Sequence, residues 1–243
     1  IDESGLLQDV KIIDWKLMSR ENPLHYPALK DFVEGKRPNL AKARLGTAGL
    51  SGFDFEGVNL IEADLGSVYL NWANLKRARL EKANLCGGLL IGADLREAVL
   101  AEADLAGSFL MCTDLKRADL SNARLTKTDL NTSDLSESKL MGADMQKADL
   151  RNSNLNKANL TDADLSEADL RGVNFTGAVL KDADLRGSKF ILLDLANATL
   201  SGAVFDLNRA DELESAGFKI TRSSDGYCTI IEDAAYTSGR QST

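Results

Sequence analysis

Every fifth residue from Leu40 to Phe205 is Leu, Phe or Met, which makes 34 consecutive sites without an insertion or a slip. The series opens with Leu40, Leu45, Leu50, Phe55, Leu60 and Leu65 and runs through Met145, Phe175 and Phe190. A period of five matches neither the 3.6-residue turn of an amphipathic helix nor the two-residue alternation of a strand. It calls instead for a chain that turns a corner every five residues. Two residues before each large site stands a mostly small one, such as Ala63, Ala73, Ala83 or Ser108, and one before it Asp or Asn is favoured, as at Asp94, Asp104, Asp119, Asn154 and Asn159. The large and the small residue of each side point inward, and the other three face solvent. Only a small side chain fits beside a stacked Leu in so narrow an interior, and Asp and Asn suit the corners because their side chains bond nearby backbone groups.

This Ala-(Asp/Asn)-Leu-x-x series resembles the pentapeptide-repeat family, and the resemblance covers about 70% of the 243 residues. It implies an all-β fold: a right-handed quadrilateral (square) parallel β-helix with four pentapeptides per coil and vertical neighbours 20 residues apart. The solenoid would then hold about eight and a half coils and, at ~4.8 Å per coil, reach ~40 Å in length. Such a chain is built from units that each touch only the coils beside them, so its open ends need caps. The expected division is an N-terminal cap over 1–38, the β-helix over 39–207, a C-terminal cap over 208–232 and a mobile tail over 233–243. In the first, Val10–Leu17 partly alternates like a strand, and Pro27–Gly35 reads as a short helix with Leu29, Phe32 and Val33 on one face. In the second, Asn208–Ala216 reads as a short helix, and Phe218–Arg222 and Tyr227–Ile231 flank a Ser-Ser-Asp-Gly turn, a hairpin signal.

Little in the chain signals catalysis. His25 is the only histidine, and there is no phosphate-loop, nucleophile-elbow or zinc spacing. Cys86, Cys112 and Cys228 are odd in number and widely spaced, and read as free thiols. No stretch approaches the ~18 apolar residues of a membrane span, and the net charge of −8 disfavours direct nucleic-acid binding. Catalytic, metal and cofactor sites are therefore expected to be none. A cytoplasmic location is expected, although a chain opening at Ile1-Asp2 leaves a processed, lumenal or periplasmic form open.

Stacking at 20 residues turns the surface into columns. On the face of Leu70, Leu90 and Leu110, the outward positions are Tyr69, Trp72, Leu89, Ile91, Phe109 and Met111, followed further along by Asp129, Asp149 and Asp169. The face is thus apolar for about three coils and then charged. An exposed aromatic patch marks either a contact surface or a strip covered by a terminal segment. The first alternative makes the protein a non-enzymatic scaffold binding a protein partner or a second copy of itself. Asp129, Asp149 and Asp169, with Asp144, Asp164 and Asp184 on the next face, form acidic columns in the C-terminal half, while Lys76, Arg77, Arg96, Lys116 and Arg117 line the N-terminal half. Some members of the family resemble duplex DNA in shape and charge and protect DNA gyrase from inhibitors. That resemblance makes a gyrase or topoisomerase partner the second functional expectation.

Overall fold

The computed structural model describes residues 39–195 and 197–232; the expected N-terminal cap and the tail lie outside them. Within this range the chain is an all-β solenoid in which parallel bridges join residues 20 apart, from Asn39–Asn59 through Asp164–Asp184.

One pentapeptide explains the whole repeat. The Leu95 N–H donates to the Asp114 carbonyl at 2.7 Å and the Glu97 N–H to that of Lys116 at 3.0 Å, both on the next coil. The Ala98 N–H closes the corner on the Leu95 carbonyl at 3.0 Å, and the Val99 N–H returns to the Ala78 carbonyl on the preceding coil at 2.9 Å. The backbone thus serves four of the five N–H groups. The fifth, that of Arg96, donates to Oδ1 of Asp94 at 3.1 Å. The same bond recurs at Asn59, Asp104, Asp134, Asn154 and Asp164. Asp or Asn therefore precedes the large residue because a short side-chain acceptor there serves the one donor that the ladder leaves over.

The corners need a left-handed backbone two residues after each large site. Glycine supplies it at Gly52, Gly92 and Gly107, and many larger residues adopt it too, among them Trp72, Arg117 and Glu137 with φ near 60°. Inside, Leu70 through Leu140 are buried at 0–1% exposure, with Ala, Ser and Thr filling the small sites between them. Ser108, Thr113, Ser133 and Ser153 each return their hydroxyl to the carbonyl three residues back, at 2.6–2.7 Å.

The sequence period runs unbroken to Phe205, but the backbone leaves it once. Leu193 occupies a small inward site but stands at 72% exposure, and Leu192–Leu195 forms a 3-10 helix in place of a regular side. The ladder slips by one residue, with the Gly177 N–H on the Asn197 carbonyl, before Val179–Thr199 restores it.

At the far end, β1 (Val204–Asp206) lies on the last side of the rod. A 3-10 turn over Leu207–Arg209 and helix α1 (Ala210–Ser215) lead to a hairpin of β2 (Lys219–Arg222) and β3 (Tyr227–Glu232). Strand β3 is central, paired antiparallel with both β1 and β2, so the hairpin takes up hydrogen-bonding groups that the final coil would otherwise leave open. Leu213, Phe218, Cys228 and Ile230 close the core there.

Candidate functional site

The structure brings Tyr69, Leu89 and Phe109 into one column, joined by successive bridges, with Gly49 before them and Asp129 after. Ile91 and Met111 stand beside them on the same sides: the Trp72 N–H donates to the Ile91 carbonyl at 3.0 Å, and the Gly92 N–H to that of Met111 at 3.0 Å. Tyr69, Trp72 and Phe109 are exposed at 47%, 69% and 44%, while Leu89, Ile91 and Met111 are half-buried between them. The six residues form one continuous strip over three coils.

The strip departs from what the fold requires. Tyr69, Leu89 and Phe109 occupy the position where Asp or Asn would serve a backbone donor, and none offers a comparable acceptor. For Ile91 the loss is repaired from the coil below, where Asn71 Oδ1 accepts its N–H at 2.9 Å. Elsewhere an apolar residue in this position stands singly: Val99 lies between Arg79 and Asp119, and Val179 between Asn159 and Thr199. Among the described residues, three stack only here.

Gly92 completes the strip and has no mark in the five-residue consensus. The Trp72 indole lies across it, so that a Cβ at Gly92 would stand 2.2 Å from Cε3 and Cζ3 of the ring. The only sequence signal is spacing, since a glycine follows the tryptophan by 20 residues at a corner.

The acidic columns stack in register, and neighbouring side chains hold several of their carboxylates. Asp149 holds Arg151, with Nη2 at 2.5 Å from Oδ2, and Asp169 holds Arg171 at 2.5 Å. Asp184 pairs in the same way with Arg186. These arginines lie two residues on, beside their carboxylates, and hold Asp149 and Asp169 below the usual carboxylate range. At Asp184 burial pushes the pKa up, and the Arg186 bonds outweigh it. Asp129 accepts the Asn131 N–H at 3.0 Å, Asp144 the Thr126 hydroxyl at 2.9 Å and Asp164 the Gln146 amide at 2.7 Å. The basic face is likewise occupied, by Arg77–Glu97 and Arg117–Glu137, each at 2.9 Å.

Among the described residues no cluster of His, Cys, Asp and Glu is placed to hold a metal, and no helix is long and apolar enough to cross a membrane. A shallow groove between the last coils and the hairpin is lined by Glu167, Arg186, Asp206, Asp225 and Tyr227. Its groups are used internally: Arg186 lies 5.7 Å from the Tyr227 ring centre, and Asp206 accepts the Gly187 N–H at 2.8 Å.

Pentapeptide repeats, in eight copies, match the chain over residues 39–77, 78–117, 118–156, 153–191 and 178–211. The chain belongs to the pentapeptide-repeat family. Among solved structures it is similar to HetL, a pentapeptide repeat protein involved in heterocyst differentiation regulation from the cyanobacterium Nostoc sp. strain PCC 7120. The two are 31% identical over 72% of this chain and 94% of that one, with a TM-score of 0.35. A pentapeptide repeat protein of the Arabidopsis thaliana thylakoid lumen is 31% identical over 57% of this chain and 68% of its own, with a TM-score of 0.23. QnrB1, a plasmid-mediated fluoroquinolone resistance protein, is 19% identical over 74% of this chain and 95% of its own, with a TM-score of 0.45. No curated protein matches the chain. Pentapeptide-repeat structures are right-handed β-helices, and the parallel ladder with its 20-residue step is that architecture.

Proposed function

We propose that this pentapeptide-repeat protein is a non-enzymatic interaction scaffold that docks a protein partner through the face of Tyr69, Trp72, Leu89, Ile91, Phe109 and Met111. One observation carries this reading: three consecutive coils replace the side-chain acceptor that the fold uses with large apolar groups, and leave them in water. Folding does not require such a strip, and exposing aromatic surface is unfavourable unless something covers it. Aromatic anchors grouped in a small area, bordered by polar coils, are the usual composition of a contact centre.

The test is affinity capture from the source cell with the wild-type chain and with Trp72→Ala/Phe109→Glu, the fold being checked by circular dichroism. A partner held by the wild type and lost by the folded variant supports the reading; an unchanged set of captured proteins refutes it. A gyrase supercoiling assay with drug challenge addresses the alternative partner. Because arginines already hold Asp149, Asp169 and Asp184, the chain is expected to leave gyrase inhibition unchanged.

A further inference from the structure

We infer that Asp225, in the turn between β2 and β3, is a site of spontaneous conversion to isoaspartate, and that this conversion loosens the C-terminal cap of the rod. The inference is independent of the docking face.

An aspartate rearranges when the amide nitrogen that follows it attacks its side-chain carbon. That nitrogen must be unshielded and uncommitted to a hydrogen bond. The solenoid withholds both conditions. Most of its aspartates precede a large inward residue whose N–H is a rung of the ladder: after Asp94 the Leu95 N–H donates to the Asp114 carbonyl at 2.7 Å, and after Asp164 the Leu165 N–H donates to that of Asp184 at 2.8 Å. Asp225 instead precedes Gly226, in the one Asp-Gly pair of the chain. Glycine has no Cβ to shield its nitrogen, both residues are exposed, and among the described residues the Gly226 N–H has no acceptor. The amides beside it are occupied, with the Ser223 N–H on the Tyr227 carbonyl at 2.9 Å and the Asp225 N–H on Ser223 Oγ at 3.1 Å. The Ser224 hydroxyl donates to Asp225 Oδ1 at 3.2 Å, where it favours departure of a carboxylate oxygen.

The chemistry needs only water. The Gly226 nitrogen bonds to Asp225 Cγ and closes a five-membered imide, while one carboxylate oxygen leaves as water with the amide proton and a proton from solvent. A second water then adds to the main-chain carbonyl carbon of Asp225 and breaks its bond to the Gly226 nitrogen. The chain now runs through Cβ and Cγ, one atom longer than before, and the α-carboxylate hangs free.

This turn is tied to the end of the rod. The Gly226 carbonyl accepts the Leu207 N–H at 3.0 Å, and the next residue begins β3, which pairs Tyr227 with Asp206 and Cys228 with Phe205. Lengthening the backbone immediately before Gly226 draws its carbonyl away from Leu207 and pulls on the register by which β3 seals the last coil.

The test ages the full chain in warm buffer made with heavy-oxygen water, beside Asp225→Ser, which has no carboxyl group to close the imide. The tryptic peptide that begins at Ser223 should split into two chromatographic forms, the new one bearing a heavy oxygen and accepting a methyl group from S-adenosylmethionine through protein L-isoaspartyl methyltransferase. The same peptide of Asp225→Ser should stay single and unlabelled. Thermal melting of the aged wild type should gain a lower transition that the aged variant lacks. A single unlabelled peptide after ageing, or equal methyl acceptance by the two chains, overturns the site. A labelled isomer with a melt matching that of Asp225→Ser upholds the site and overturns the loosening of the cap.

Discussion

The Trp72 indole rests on Gly92, one coil further along the rod, with no room for even a methyl group beneath the ring. Gly92 also has a φ of 66°, in the region that glycine enters at least cost. Gly92→Ala should therefore lift the ring from its seat and destabilise the corner by ~1 kcal/mol. In a Trp15→Phe background, the anisotropy decay of Trp72 should gain a fast component and its near-ultraviolet dichroism should weaken. An unchanged decay would mean that the ring is not held by this contact.

Leu120 stacks at the middle of the rod, fully buried, its N–H on the Lys139 carbonyl at 2.7 Å. Leu120→Lys places a charge among leucines with no partner, a defect expected to cost at least ~4 kcal/mol. Each coil rests on its neighbours, so the break should propagate and the thermal transition should fall steeply or split. A melt identical to the wild type would contradict the inward register.

The interior hydroxyls differ in one respect. Ser133 is bonded to the Leu130 carbonyl at 2.6 Å, whereas the Ser138 hydroxyl, equally buried, has no partner. Ser138→Ala should be neutral or stabilising by up to ~1 kcal/mol, and Ser133→Ala should destabilise by about as much. Chemical denaturation of the pair reads the difference, and a reversed order would refute it.

Leu193→Ala returns a small residue to a small site. The 3-10 segment should then settle into a regular side, with the Phe175 N–H donating to the Asp194 carbonyl as the 19-residue rule requires. Slower hydrogen exchange at Phe175 and a raised melting temperature are the expected results. Unaltered exchange would place the cause of the distortion elsewhere.

Acid should loosen the rod from its corners. The Arg96, Arg151 and Arg171 guanidinium groups hold Asp94, Asp149 and Asp169 below their ordinary values. A carboxylate with a depressed folded pKa contributes stability that is complete above its unfolded value, about 3.9, and is lost as pH falls through the folded one. Melting temperature should be flat from neutral pH to about 5 with respect to these groups and decline below about 4, less steeply in high salt because the pairs are exposed. A decline beginning near neutrality would point to other groups.

The solenoid was legible because its determinants repeat: a large apolar residue stands at all 34 sites, and a small neighbour and an Asp or Asn recur at most of them. Position in a column follows from counting by 20, so the strip from Tyr69 to Met111 could be read before any coordinates were known. A large residue at a small site was visible at both Phe53 and Leu193, yet Phe53 stays buried in a regular coil while Leu193 is exposed on a 3-10 segment, a difference that only the tertiary structure decides.

Charge is where counting fails. The columns of Asp were visible as anions, but whether Arg151 and Arg171 turn back onto Asp149 and Asp169 or extend into solvent depends on side-chain directions at a corner, which no spacing expresses. The seat of Trp72 on Gly92 is of the same kind. Sequence alone determined the path of the backbone, since backbone hydrogen bonds and burial are periodic demands. Tertiary structure decided which surface groups remain free, because exposed side chains choose among several partners at nearly equal energy, and only their placement in space selects one.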